Sequence, residues 1–274
     1  MLSVFGDESH DETNSRVFAV GGLLGSSRDW ESFREKWGER LGGTVFHAAD
    51  CEAGYGDFRG MGEAERKQLH RDLTRILADS KLMGYGSAID LAGCREAAPS
   101  SIARFPDIPY YDCFIKTVKY LSDLAAHFIP RERVEFTFDQ HKSTEYNAGL
   151  LYAWIAQYVT DMSEKVSFCT RREPGIQAAD LWARELMKRY DAHLHNRYIN
   201  PRPQWLTLVG TKRFRYKFTL KGDMVGQFKE AESRADGLEE EYEAWRTKNA
   251  LVDNLSNRFR HAAMRDWSKD EKDN

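Results

Sequence analysis

The sequence predicts an α/β domain with a mixed central sheet and helices on both faces. The order of segments is the first indication, because two strand-like segments open the chain and helix-like and strand-like segments then alternate. The helical segments carry apolar residues at spacings of three and four, so each is expected to bury one face. Several predicted strands end in an acidic residue, so negative charge is expected where those strands end.

The strand predictions follow from apolar runs bounded by turn-like residues. Residues 2–6 and 16–24 form the opening pair, joined by a short polar connection. Further strands are predicted at 81–90, at 133–139, where apolar and polar residues alternate, and at 165–170.

The helix predictions rest on periodicity and on proline positions. The first helix has four apolar residues at spacings of three, four and four: Trp30, Phe33, Trp37 and Leu41. A long helix over 110–128 ends before Pro130. The last helix of the core begins near Pro174, because proline is favoured in a first helical turn.

Three regions are predicted along the chain. Residues 1–192 form the core. Residues 193–223 form a basic and aromatic extension, predicted as a C-terminal hairpin because two strand-like segments follow each other there. Residues 224–274 form a charged helical tail with sparse apolar positions, suited to a protein partner or to homodimer formation.

The overall composition excludes several classes of protein. Hydrophobic residues make up 41% and charged residues 30%, which is typical of a folded domain and not of a disordered chain. No apolar stretch approaches the roughly 20 residues of a membrane span, and no secretory signal is recognised. The four cysteines are scattered without CxxC spacing, so we expect reduced thiols and a cytoplasmic protein.

One acid occupies a position where the helical pattern requires an apolar residue. Asp180 lies within the stripe that Ile176 and Ala183 define on the last core helix. A buried carboxylate is costly unless it is paired, hydrogen-bonded or bound to a metal. Asp180 is therefore either a satisfied structural acid or a site residue, and the pattern leaves both readings open.

Two further acids end predicted strands. Asp7 closes the opening strand and Asp139 closes the strand at 133–139. Ligands gather at the carboxyl ends of strands in open α/β sheets, so Asp7, Asp139 and Asp180 are expected to converge. Like charges repel at short range, and oxygen ligands suit Mg²⁺ or Mn²⁺. Two such ions roughly 3.5–4 Å apart can activate a water and stabilise the leaving oxygen in phosphodiester cleavage.

The identity of a fourth acid stays open. Glu8 follows Asp7 directly, and successive strand side chains point to opposite faces, so Glu8 joins the site only if the backbone bends near Gly6. Asp50 is an equal candidate. Asp90, at the end of another strand, ranks below both.

Four short motifs resemble the uncharacterised prokaryotic family called domain of unknown function 3800. They are FGDES at the start, FHAAD after the first helix, FTFDQ on a central strand and GIQAADLWARE on the late helix. The resemblance covers residues 2–190, and the late motif is the most specific. It implies a ribonuclease H-like fold with site acids at Asp7, Asp139 and Asp180, Glu8 in the opening motif and Asp50 as a possible equivalent. The chain departs from the family at His10, where glycine is usual.

Positive charge is concentrated in one part of the chain. The formal net charge is −3, yet residues 184–221 contain ten lysines and arginines and two acids. In 213–221, aromatic and basic residues alternate, which predicts a strand with one aromatic and one basic face. The basic face either contacts phosphates or protects an edge strand from pairing. The expected nucleic-acid contacts are Arg184, Lys188, Arg213, Arg215 and Lys217.

Two residues are assigned supporting roles. His141 follows Asp139 by two positions and either contacts a phosphate, carries a proton or is a solvated loop residue. Gln177 precedes Asp180 by one helical turn and either orients a ligand or water or caps the helix start.

These observations favour a metal-dependent nuclease or related phosphoryl-transfer enzyme that acts on nucleic acid with Mg²⁺ or Mn²⁺. The alternative is a non-catalytic accessory module that binds nucleic acid or protein in a mobile-element or phage-defence system. A small-molecule hydrolase with the same metals is a third possibility. The sequence contains no Walker, GxSxG or GxGxxG motif that would favour another chemistry.

Overall fold

The computed structural model covers most of the predicted core. It describes residues 1–98, 108–130, 132–140, 148–149, 152–153, 156, 166–195 and 200–228. Residues 1–228 form one compact unit. The predicted tail at 224–274 therefore lies almost entirely outside the described residues, and the three predicted region boundaries stay predictions.

A mixed sheet of six strands forms the centre of the compact unit. The strands are β1 (Leu2–His10), β2 (Val17–Ser26), β3 (Met83–Asp90), β4 (Val134–Asp139), β5 (Ser167–Cys169) and β6 (Phe214–Thr219). Their order is β5-β4-β1-β2-β3-β6. The β1–β2 and β2–β3 pairs are antiparallel, whereas the β1–β4, β4–β5 and β3–β6 pairs are parallel.

Helices cover both faces of the sheet. In the described part of the chain they are α1 (Ser27–Leu41), α2 (Ala48–Ala53), α3 (Glu63–Asp79), α4 (Leu91–Ala97), α5 (Ile108–Phe128), α6 (Pro174–Leu194) and α7 (Pro203–Gly210). Helix α5 packs on one face, and α6 packs on the other with α1 and α3 around it. The predicted fold class, a mixed α/β sheet with helices on both faces, is confirmed. None of the helices described here has both the length and the hydropathy of a membrane span.

Local sequence accounts for the main helix that lies beside α6. Helix α1 begins with a capping box, in which the hydroxyl of Ser26 and the carboxylate of Asp29 bond each other's backbone N–H groups. It ends at Gly42, whose φ of 59° is the left-handed conformation that glycine adopts easily. Trp30 and Trp37, from the predicted apolar stripe, are buried against the sheet and α6.

The predicted C-terminal hairpin does not form. Its first half is α7, which begins with Pro203 and buries Trp205 and Leu208, three residues apart, as a helix requires. Its second half is β6, which pairs with β3 in parallel. The strand-like composition of residues 205–209 was misleading because burial on one helical side decides the conformation there. The extension thus supplies the sixth strand of the central sheet.

Helix α6 approaches the sheet very closely at Gly21 of β2. A Cβ atom at Gly21 would lie 2.8 Å from Trp182 Cδ1 and 3.0 Å from the backbone nitrogen of Ala183. Gly21 is paired with Asp7 across the β1–β2 ladder. The absence of a side chain at Gly21 therefore lets α6 lie directly on the strand row that contains Asp7.

The Gly21→Ala substitution tests this close approach. The added methyl group has to displace the backbone of α6, so we expect the free energy of unfolding to fall by about 1–3 kcal/mol in urea denaturation. Gly38→Ala is the matched control, because a Cβ there meets no atom within 4 Å. Gly38 lies inside α1, and alanine is expected to raise stability there by about 0.5–1 kcal/mol. Equal effects of the two substitutions would contradict the packing described here.

Candidate active site

Asp7 and Asp139 occupy equivalent positions on neighbouring parallel strands. The β1–β4 register pairs Gly6 with Phe138, and the two acids follow directly. Phe5, two residues before Asp7, lies in the core on the α6 side of the sheet, so Asp7 points to that side as well. Asp7 is 3% exposed and Asp139 is 8% exposed. Two carboxylates therefore lie side by side beneath α6.

Asp180 comes to the same region from α6 and is 4% exposed. Its Oδ2 accepts a hydrogen bond of 2.6 Å from the backbone N–H of Ala48, the first residue of α2. The first N–H groups of a helix lack intrahelical acceptors, so this carboxylate satisfies one of them. The contact joins α2 to the middle of α6.

The pKa shifts show that these acids act on one another. Burial raises the pKa of Asp7 well above its ordinary value, and the negative charges of Asp180, Glu8 and Asp139 raise it further. Burial also raises the pKa of Asp180, although His47, the Ala48 N–H and positive side chains nearby partly oppose the shift. The site therefore holds more negative charge than the surrounding protein offsets.

Arg171 is a site residue that the sequence did not reveal. It lies between β5 and α6, and its Nε donates to Asp139 Oδ2 over 3.2 Å. Burial opposes its charge, but Asp7 and Asp139 raise the pKa of the guanidinium above its ordinary value. Half of the side chain, 49%, is exposed. The only signal in the sequence is a basic pair immediately before the start of the last core helix.

Gln177 fixes the segment that carries Arg171. Its Nε2 donates to the Arg171 carbonyl over 2.8 Å, and its Oε1 accepts from Trp37 Nε1 over 2.9 Å. The cap of α6 is supplied by another residue, because the carboxylate of Glu173 accepts from the Gly175 N–H. Gln177 is buried and linked at both ends of its amide, which connects α1 through α6 to the Arg171 loop.

Glu8 influences the site without a bend in the chain. Strand β1 continues unbroken to His10, so the bend near Gly6 that the sequence required for Glu8 is absent. The Glu8 N–H donates to Asp7 Oδ1 over 2.7 Å. Burial and then the charge of Asp139 raise the pKa of Glu8 to about 7, with Arg171 opposing. The carboxylate of Glu8 is therefore close enough to Asp139 for the charge of Asp139 to act on it.

Asp50 is linked to the three central acids through His47. It belongs to α2, and its Oδ2 is 2.8 Å from His47 Nδ1, while the charge of His47 acts on Asp180. Asp90 has a structural contact, because its side chain caps α4 by accepting from the Gly93 N–H over 2.9 Å. His141 lies outside the described residues.

The predicted nucleic-acid contacts divide into two groups. Arg184 and Lys188 both bind Glu52, at 3.0 Å and 2.6 Å, and Arg213 donates to the carbonyl of Ala78 at the end of α3. Arg215 and Lys217 are exposed on β6, whose other face packs its aromatic residues against α6 and α7. Three of the five basic side chains thus have protein partners.

The carboxylate ligands are of the type that a hard divalent cation prefers, but in the described structure the oxygens of the three acids do not all lie within 4.8 Å of one another. One oxygen of each central acid accepts a bond from the protein: Asp7 from Glu8 N, Asp139 from Arg171 and Asp180 from Ala48 N. Within the described residues, no donor reaches the second oxygen of any of the three. Carboxylate oxygens with unmatched negative charge are the ligands that Mg²⁺ and Mn²⁺ prefer.

Comparisons with known proteins add little to this geometry. No family model matches the chain, and no curated protein matches it. Among solved structures, the chain is similar to one in the PCNA:RNase HII complex from Archaeoglobus fulgidus, with a TM-score of 0.39 and 12% identity over 77% of this chain and 87% of that chain. A likeness this distant carries no argument about function, so the resemblance to domain of unknown function 3800 rests on the sequence motifs alone.

The raised pKa values predict how the metal-free stability depends on pH. A carboxyl whose pKa is raised on folding binds more protons in the folded state, so stability falls as pH rises between its unfolded and folded pKa values. For Glu8 this window runs from about 4.5 to about 7, and Asp7 shifts in the same direction. We expect Asp7→Asn to flatten this fall and to stabilise the protein at pH 8 by about 1–2 kcal/mol.

Urea denaturation in EDTA at pH 5.5 and pH 8 measures the effect. Glu185, whose pKa is also raised to about 7, contributes equally to both proteins and cancels in the comparison. Identical pH slopes for the wild type and for Asp7→Asn would show that the pKa of Asp7 is not raised on folding.

Proposed function

We propose that this protein is a metal-dependent nuclease or related phosphoryl-transfer enzyme that acts on nucleic acid. Asp7, Asp139 and Asp180 would hold Mg²⁺ or Mn²⁺. The observation that supports the proposal is the convergence of three buried acids from β1, β4 and α6, with the pKa of Asp7 raised by burial and then by the charges of the other two. Such a shift is typical of functional sites, because structural acids are usually matched by cations or donors.

The size of the repulsion explains why a cation is expected. At an effective dielectric constant of about 20, two like charges repel by about 4 kcal/mol at about 4 Å and by about 2 kcal/mol at about 8 Å. Arg171 is the one described cation with a direct contact to a central acid. A bound divalent ion would offset the remaining charge, lower the pKa of water and stabilise the leaving oxygen of a phosphodiester.

Two other residues have proposed roles beside the acids. Arg171 is half-exposed next to Asp139, so its remaining N–H groups can bind a phosphate oxygen and stabilise negative charge as it develops. His47 Nδ1 lies 2.8 Å from Asp50 Oδ2 without a hydrogen bond between them, and His47 acts electrostatically on Asp180. His47 is therefore placed near the central acids, where an imidazole can deliver a proton to a leaving oxygen.

Glu8 is the proposed fourth acid. Burial and then the charge of Asp139 raise the pKa of Glu8, and the charge of Glu8 adds to the effect of burial in raising the pKa of Asp7. Asp50 is instead engaged with His47 and is more exposed, with 39% of its side chain accessible. Glu8 would adjust the charge of the site from the neighbouring position on β1.

The substrate is proposed to be nucleic acid because exposed basic side chains occur elsewhere on the same sheet, on the face opposite the acids. Arg215 and Lys217 provide exposed positive charge on β6. A partner-binding role for residues 224–274, as a homodimer contact or a contact to another protein, remains a separate proposal.

Removal of one central carboxylate is expected to abolish cleavage. Asp139→Asn and Asp180→Asn keep the side-chain shape but remove a negative ligand, so Mn²⁺-dependent cleavage of RNA, DNA and hybrid substrates should fall by at least ~100-fold. The assay uses end-labelled and circular substrates, which also separates terminal from internal cleavage.

Asp123→Asn is the matched control, because Asp123 is an exposed acid paired with Lys119 on α5. Its cleavage rate should equal that of the wild type. Cleavage that persists in both Asp139→Asn and Asp180→Asn would contradict the proposal. Nucleic-acid binding without cleavage or metal binding in the wild type would favour the accessory module.

A second pair of variants decides between the candidates for the fourth acid. We expect Glu8→Gln to reduce the cleavage rate about tenfold or more, because it changes a charge that Asp7 and Asp139 both sense. Asp50→Asn should leave metal affinity unchanged and alter the pH profile of cleavage through His47. Titration of Mn²⁺ against the cleavage rate, repeated across a pH series, measures metal affinity, rate and pH profile. A larger loss of metal affinity in Asp50→Asn than in Glu8→Gln would reverse the assignment.

A further inference from the structure

A second charged region lies on the side of α6 that faces away from the sheet. It is a cavity of about 510 Å³ between α2, α3, α6 and the start of α7, named here the α3–α7 pocket. Its charged lining consists of Arg66, Lys67, Arg71, Lys188 and Arg202 together with Glu52 and Glu63. Five positive side chains therefore face two carboxylates around one cavity.

The half-buried carboxylate of Glu52 has more positive partners than its single negative charge can neutralise. Glu52 lies 3.0 Å from Arg184, 2.6 Å from Lys188 and 2.8 Å from Arg202. Although burial opposes ionisation, Lys188 and Arg202 lower the pKa of Glu52 to about 2. Glu52 neutralises one of these three cations, so positive charge remains beside the cavity.

A metal ion is the first alternative. Glu52, His70 and Glu185 offer ligand atoms within 4.8 Å of one another. However, Arg202 lies 2.8 Å from one carboxylate and 3.0 Å from the other. A divalent ion bound by both carboxylates would contact this guanidinium and the nearby ammonium of Lys188, so like-charge repulsion opposes it. The charges of the cluster favour an anion.

A helix end adds donors to the same cavity. Pro203 and Gln204, the first residues of α7, line the pocket, and the helix has no side-chain cap. The first intrahelical bond of α7 is from Leu206 N to Arg202 O, so the preceding N–H groups lack helical acceptors. An uncapped helix N-terminus attracts anions through these N–H groups and its dipole.

Two buried nitrogen atoms of the pocket lack hydrogen-bond partners in the described structure. One is the donor Arg66 Nε; the other is His70 Nε2, whose role depends on the tautomer and which lies 3.9 Å from Glu185 Oε1, itself without a hydrogen bond. Buried polar atoms are normally satisfied, so an unsatisfied donor that lines a cavity indicates a ligand with acceptor oxygens.

We infer that the α3–α7 pocket binds a phosphate group. Arg66, Lys67 and Arg71 approach it from α3, while Arg202 and the N-terminus of α7 approach from the other side. Lys188 lies two helical turns from Asp180, about 12 Å along α6. A phosphate of the strand bound at the central acids is one source, and this version rests on the proposed nuclease function. A free phosphate monoester is the other source.

Calorimetric titration of the full chain with inorganic phosphate tests the inference. The Lys67→Ala/Arg71→Ala variant removes two exposed cations of the pocket, so we expect phosphate affinity to fall about tenfold or more while the fold persists. Arg28→Ala/Lys36→Ala removes the same charge from exposed positions of α1 and should leave the affinity unchanged. Equal affinities for the two variants, or no binding by the wild type, would overturn the inference, as would tight Mn²⁺ or Zn²⁺ binding lost in Glu185→Gln.

Further ligands distinguish the two sources. Loss of affinity for a single-stranded oligonucleotide in parallel with phosphate supports a strand phosphate. Loss for a 5′-mononucleotide, with oligonucleotide affinity unchanged, supports a free monoester. The same titrations with Asp139→Asn separate the phosphate proposal from the nuclease proposal. Phosphate binding should survive in Asp139→Asn. It should also be present if the wild type cleaves no nucleic acid.

Discussion

The direct packing of α6 on the Gly21 row of the sheet is the contact on which the rest of the structure depends. It places an acid from a helix beside two acids from neighbouring strands, an arrangement that no surface loop would hold against their repulsion. The aromatic core around Trp37 and Trp182 provides the burial that offsets this repulsion. A stable hydrophobic layer thus keeps charges together that would separate in water.

Helix α2 connects the two charged regions, although it has only six residues. Its first N–H binds Asp180, and Glu52 near its end binds Arg184 and Lys188 on the following turns of α6. Both ends of α2 are thereby tied to the same helix. A charge that binds in the α3–α7 pocket would act on Glu52, and its effect can reach the central acids through α2 and α6.

The sequence predicts the order of most elements and the acids at the strand ends, because apolar periodicity and position in a sheet are local signals. The wrong prediction for the α7 segment shows the limit, because a short apolar run is compatible with a strand or with a helix until burial decides. Arg171 was missed because tertiary contacts with Asp139 and Gln177 aim it inward. The sequence also contains no sign of the contact that Arg184 and Lys188 make with Glu52. This contact is tertiary, because Glu52 is 132 residues before Arg184.

The amide of Gln177 has a consequence for how this protein can evolve. It joins an indole 140 residues earlier to the loop that carries Arg171. A substitution of Trp37 that removes the indole N–H leaves a buried amide oxygen without its donor, and a substitution of Gln177 leaves both neighbours unsatisfied. The two positions are therefore expected to change together in descendants of this chain, and lineages that lose one should lose the fixed position of the guanidinium as well.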